Sequence, residues 1–122
     1  MSGAVFDSNI LIDALTGIEP AEREIQNFAK ICISRITWIE LLTGASEQET
    51  VRALAFLSYF TMVELDEAIA RRAATLRSER KRLKVADAII LASAQHLGYP
   101  LVTRNTWDFP EDMSGIRIPY TL

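Results

Sequence analysis

Short apolar runs recur along this chain between stretches of helical periodicity, and that alternation constrains the fold more than any other feature. GAVFD, ICIS, TMVEL and YPLVT read as strands. Strands separated by helices pair in parallel, because parallel neighbours need a long crossover connection. The fold class is therefore α/β: a small parallel β-sheet flanked by α-helices. Residues 8–15 read as a helix ending near Gly17, and residues 21–30 as a second helix with Pro20 near its start. Ser34 caps a helix that runs to Gly44, and residues 48–59 are helical. Asp66 begins a long helix with Ile69, Ala73 and Leu76 on one face. Residues 86–97 are apolar nearly all round, which predicts a central, buried helix. IRIPY reads as an edge strand, since Pro119 cannot donate a ladder hydrogen bond.

At 122 residues the chain fits one domain, residues 1–122, large enough to bury a core without disulfides. Hydrophobic content of 49% with 24% charged residues argues for a globular chain over a disordered one. The single cysteine, Cys32, forbids an internal disulfide and reads as strand core. The start, MSGAVFDSN, lacks the basic and apolar regions of a signal peptide, and no run approaches the roughly 18 apolar residues of a membrane span. These features predict a soluble cytoplasmic protein with no membrane partner.

Four carboxylates stand in or beside apolar segments: Asp7 in AVFDSNILI, Glu40 in ISRITWIELLTG, Asp87 in VADAIILASA and Asp108 in TRNTWDFP. Acidic side chains are seldom buried unless paired, and an isolated buried charge is very costly. Convergence on one divalent cation would give all four a shared reason, since hard cations take oxygen ligands. Asp7 ends the first strand, where open α/β sheets bind ligands. Asp87 falls in the first turn of the apolar helix. Glu40 sits mid-helix, a turn after Thr37 and a turn before Gly44, surrounded in sequence by Ile36, Trp38, Ile39, Leu41 and Leu42.

Each acid also has an ordinary reading. Asp7 suits a helix N-cap, Asp87 the positive end of a helix, and Asp108 a turn before Phe109-Pro110. Their joint occurrence is what points to a site. Asp13, on a short amphipathic helix, reads as solvated. His96 reads as a surface histidine, and Phe56, Leu57, Tyr59 and Phe60 as core, part of which could face a partner. Net charge is −3, so the basic footprint of a passive nucleic-acid binder is absent. Yet Arg71, Arg72, Arg77, Arg80, Lys81, Arg82 and Lys84 share one short segment. Two readings stand: a solvated helix end whose cations favour the dipole, or a phosphate-binding patch beside Asp87.

Asp7-Ser8-Asn9, Glu40 in IELLTG, VADAIILASA and Thr103-Arg104-Asn105-Thr106-Trp107-Asp108-Phe109 together resemble the PIN domains, in particular the VapC-type ribonuclease toxins of type II toxin–antitoxin pairs. The last two blocks carry most of the resemblance, which spans essentially the whole chain and implies a PIN-like sheet flanked by helices. It implies a ribonuclease that uses Mg²⁺ or Mn²⁺ to hydrolyse RNA. It also implies a cognate antitoxin that inhibits the acidic cleft, and a homodimer. Asp7, Glu40 and Asp87 match the three main acidic positions and Asp108 the later, more variable one. Ser8 and Thr103 match small hydroxyl positions lining the site. Asn105 stands where many relatives carry Asp. Arg80, Lys81, Arg82 and Lys84 are the candidate RNA-binding residues. Two alternatives carry different chemistry: a PIN domain that binds RNA or protein without cleaving, and a phosphoacceptor receiver domain.

Overall fold

Side chains alternate faces along a strand, and here both faces are apolar. The computed structural model describes residues 2–110 and 112–122. The chain runs β1 (Gly3–Phe6), α1 (Ser8–Leu15), α2 (Glu19–Gln26), β2 (Lys30–Ser34), α3 (Arg35–Leu42), α4 (Glu47–Leu57), β3 (Thr61–Val63), α5 (Glu67–Glu79), α6 (Val85–Leu97), β4 (Leu101–Val102) and β5 (Ile116–Arg117). Ala4, Phe6, Ile31, Ile33 and Val102 face one apolar cluster, with Ile10, Leu11, Ala21 and Leu57 from the helices. Val5, Cys32 and Leu101 face the other, with Ile69, Ala73 and Leu76 of α5 and most of α6. Strands covered on both sides must read as continuous apolar runs, as these do.

The sheet has five parallel strands in the order β3-β2-β1-β4-β5. The chain starts in the centre at β1, builds outward through β2 and β3, then crosses to β4 and β5. The order therefore reverses between β1 and β4, where a crevice opens at the carboxyl ends of an open sheet. Helix α6 contributes a continuous buried run from Ala88 to Ala94. It ends at Gly98, whose φ of 70° suits a residue without a Cβ, and Tyr99 N–H returns to the Ala94 carbonyl at 3.0 Å. None of the helices is long and apolar enough to cross a membrane, among the described residues.

Local chemistry sets the element ends. Ser34 and Asp66 cap α3 and α5, and Ser46 with Glu49 forms a capping box at α4. Helix α2 occupies Glu19–Gln26 instead of residues 21–30, with Pro20 in its first turn. It stops early because Phe28 is buried edge-on against Phe6, ring centroids 5.6 Å apart, which turns the chain into β2. Residues 64 and 65 of TMVEL lie outside β3: Glu64 pairs with Arg35 and Leu65 is half-exposed. β5 is the parallel edge strand, with Pro119 beyond its paired residues. Tyr59 is 85% exposed, so it is not core, whereas Leu57 is.

Candidate active site

Asp7 leaves β1 with its backbone N–H donating to the Val102 carbonyl of β4 at 2.9 Å. That bond fixes its carboxylate at the β1–β4 crevice. Asp7 is 4% exposed and also acts as the N-cap of α1, accepting from Ser8 N–H at 2.8 Å. The Thr103 hydroxyl donates to its other oxygen at 2.8 Å, and the Asn9 amide donates there at 3.3 Å. Thr103 Oγ1 also accepts from the Asn9 amide at 3.2 Å and from Asn105 N–H at 3.0 Å. One donor and two acceptor positions exhaust a hydroxyl. Thr103 thus locks Asp7 with no freedom left over. Burial still pushes the Asp7 carboxyl above its ordinary range, against the lowering effect of these bonds.

Glu40 corrects an expectation. Its apolar neighbours in sequence suggested enclosure, but it lies exposed on the solvent side of α3, as does Ile39 at 50%. Helix α3 has only Thr37 fully buried and leans several large side chains on the cores at partial exposure. The Ser8 hydroxyl donates to Glu40 Oε1 at 3.0 Å, tying the rim acid to the start of α1. Partial burial, and then the nearby Asp7 charge, raise the Glu40 carboxyl.

Asp87 is the third residue of α6 and half-buried. Its carboxyl is pushed up to about 6, first by burial and then by Asp7, Asp108 and Glu40. Lys84, the N-cap of α6, counters weakly. The charges of Asp7, Asp108 and Glu40 all reach Asp87 through space, which makes the four carboxylates neighbours of one candidate site. In the turn after β4, the Asn105 amide donates to Asp108 Oδ2 at 2.9 Å and Asn105 Oδ1 accepts from Asp108 N–H at 3.2 Å. Asn105 orients Asp108 by a reciprocal pair of bonds, a role that needs an amide.

The donor set is all oxygen, the preference of a hard cation. Among the described residues no three carboxylate, histidine or cysteine side chains stand close enough to enclose an ion by themselves. Mg²⁺ does not require an all-protein cage, since it keeps several waters and takes one or two carboxylates together with substrate phosphates. The residues present fit such an ion.

Two features escaped the sequence reading. Asn9 bridges Asp7, Thr103 and the Arg104 backbone, and only its place in Asp-Ser-Asn hints at this. Asp13, expected in solvent, is buried at the other end of the same turn of chain. The Arg104 guanidinium holds both its oxygens, at 2.6 and 2.9 Å, and Tyr120 donates at 2.7 Å. These bonds keep the Asp13 carboxyl below its ordinary range. Arg104 is thereby clamped beside Thr103. His96 is exposed in the last turn of α6 and Cys32 is buried, as expected.

Residues 4–110 match the model of the PIN domain. The chain belongs to the PIN-domain family. Relatives agree along nearly its full length. It is 32% identical to a tRNA(fMet)-specific endonuclease VapC of Shigella flexneri over 124 aligned residues, 93% of each chain. It is 31% identical to Ribonuclease VapC10 of Mycobacterium tuberculosis over 111 residues, covering 85% of this chain and 84% of that one. A solved toxin–antitoxin complex from Klebsiella pneumoniae superposes with a TM-score of 0.90 at 40% identity, covering 98% of this chain and 99% of its counterpart. The PIN resemblance and the parallel α/β sheet read from the sequence are borne out. The receiver-domain alternative falls, since Asp87 opens a helix where that fold would need an acceptor at a strand end.

Proposed function

We propose that this PIN-domain protein is a divalent-metal-dependent endoribonuclease, the toxin of a VapBC-type pair acting in the cytoplasm, with residues 1–122 forming one domain. What supports the reading is the buried Asp7 at the β1–β4 crevice, held by Thr103, with Glu40 tied to it through Ser8 and with Asp87 pushed up to about 6 by burial and then by Asp7, Asp108 and Glu40. Asp7 and Asp87 would hold the Mg²⁺ or Mn²⁺, with Glu40 and Asp108 completing the set through water. When bound, the ion stabilises charge on the phosphoryl oxygens and lowers the pKa of a water.

The chain's own groups divide the remaining work. Asp7 is held rigid by Thr103, Asn9 and Ser8, so it fixes position. Among the described residues no group donates to the Asp87 carboxylate, which leaves its lone pairs for a ligand. Glu40 has Oε1 bonded to Ser8 and stands open to solvent, which supports a role for Oε2 in taking the proton of the attacking water. Its raised pKa suits a general base better than an ordinary carboxylate would. Arg80, Lys81, Arg82 and Lys84, exposed beside the site, supply phosphate contacts.

A cognate antitoxin would quench this site with a cation, for a guanidinium meets carboxylates in a fixed fork. A groove of about 310 Å³ between α1, α3 and α4 suits its approach, with Ile12, Leu41 and Ala53 as apolar lining and Glu40 at its edge. A homodimer belongs to the same reading. The deciding experiment is cleavage of RNA by the purified chain in Mg²⁺, in Mn²⁺ and in EDTA, beside Asp87→Asn. Metal-dependent cleavage absent from the variant supports the reading. A chain that binds RNA but cleaves none under any arm is a binding module, and the nuclease reading is then wrong.

A further inference from the structure

Trp107 is 78% exposed in the turn between Asn105 and Asp108. Among the described residues no core cluster takes its indole. The Arg82 guanidinium lies over its ring, 5.0 Å from the centroid, a cation–π distance. That contact ties the basic loop after α5 to the acidic loop after β4. Between them lies a cavity of about 310 Å³ lined by Arg80, Arg82, Leu83, Trp107, Asp108 and Pro110. Ligand pockets begin at roughly 300 Å³, so one flat group with its sugar can enter. The chemistry is unusual for a surface recess: an exposed indole, apolar lining from Leu83 and Pro110, cationic side chains, and the Asp108 carboxylate that the proposed site shares.

We propose that this cavity is a nucleobase subsite, in which a base next to the scissile phosphate of single-stranded RNA stacks on Trp107 while Arg80 and Arg82 hold its flanking phosphates. Single-stranded nucleic acid is gripped by this combination of aromatic platform and cationic groove. Arg82 serves twice, steadying the indole from one side and meeting phosphate at the rim. Stacking tolerates any base, so the subsite supplies register and affinity with little sequence choice. The assignment rests on the ribonuclease reading above, in that it places the base beside the quartet.

Two measurements test it. The first is steady-state cleavage of a short single-stranded oligoribonucleotide by the unmodified protein, Trp107→Ala and Trp107→Phe. Trp107→Ala should raise KM roughly five- to hundredfold, the worth of one lost stack, with kcat little changed, and Phe should restore most of the loss. The second keeps Trp107 in place. The chain has two tryptophans, so in a Trp38→Phe, Asp87→Asn protein Trp107 is the sole indole reporter. Its fluorescence should be quenched by the oligoribonucleotide and not by an abasic strand of equal length and charge. Equal quenching by both strands, or by neither, overturns the subsite. So does an unchanged KM in Trp107→Ala together with a weakened complex with the cognate antitoxin, which would assign the cavity to a protein partner. Base-dependent quenching in a chain whose unmodified form cleaves no RNA would keep the subsite and sink the nuclease reading. Cleavage unaffected by Trp107→Ala would do the reverse.

Discussion

Asp87 and Asp7 are both acids of the proposed site, yet their surroundings suit them to different work. Asp7 is locked by neutral donors, whereas Asp87 is raised by burial first and then by its acidic neighbours. Its carboxyl titrates near 6 in the folded chain against an ordinary 3.8. The folded state then binds that proton more tightly than the unfolded state. Its contribution to stability is full below about 4, falls as pH rises through about 6, and is flat above. Asp87→Asn should remove this slope, leave the metal-free fold at least as stable at neutral pH, and abolish cleavage. Urea denaturation across that window, beside an RNA cleavage assay, checks all three, and a wild-type slope in the variant would remove Asp87 from the quartet. Asn105 permits a subtler test. Asn105→Ala frees Asp108 from both amide bonds. Metal affinity should drop about 10–100-fold, the usual loss when an orienting partner is removed, with the fold intact. Unaltered affinity by calorimetry would mean Asp108 needs no such support.

At the scale of elements, the turn after β4 is held from two sides. Thr103 is bonded to the quartet, and Arg104 is clamped by Asp13 of α1 and, through it, by Tyr120 of the C-terminal segment. Arg104→Ala would leave Asp13 buried without its cation. The expected loss is roughly 2–4 kcal/mol, toward the low side for a buried pair because Arg104 remains about a third exposed. Chemical denaturation measures it, and a change within half of that would show the clamp to be solvated. The basic loop between α5 and α6 gives a second expectation. Neutralising Arg80, Lys81 and Arg82 together should weaken RNA binding and flatten its dependence on salt, since fewer phosphate counterions are released. An unchanged salt slope would return these residues to the role of a solvated helix end.

For the whole molecule, the proposed site makes a prediction about stability, since like-charged carboxylates held near one another disfavour the folded state and a bound cation would offset this. An ion that binds only the folded state adds about 2.7 kcal/mol at a hundredfold excess over its dissociation constant. The melting temperature at neutral pH should rise with Mn²⁺ or Mg²⁺, and the gain should shrink in Asp87→Asn. Sodium chloride at equal ionic strength is the control, since it screens exposed charges without filling a site. A shift that sodium chloride reproduces in full would show only screening.

The linear chain determined a good deal by local physics. Short continuous apolar runs specify strands covered on both faces, and capping residues such as Ser34 and Asp66 specify where helices begin. The near all-round apolarity of residues 86–97 specifies a buried helix. Acids embedded in such segments marked Asp7 and Asp87 as candidate site residues before any packing was known. What the sequence could not supply was every fact that depends on two distant segments meeting. Asp13 looked solvated because its cation, Arg104, lies more than ninety residues away. Glu40 looked enclosed because sequence neighbours on a helix face in different directions, and its apolar neighbours point to other surfaces. Asn9 gained its role only when β1 and β4 came side by side and brought Thr103 to it. Local propensity writes the elements, but side-chain partners across a parallel sheet are chosen by strand order, which appears only when the chain has closed.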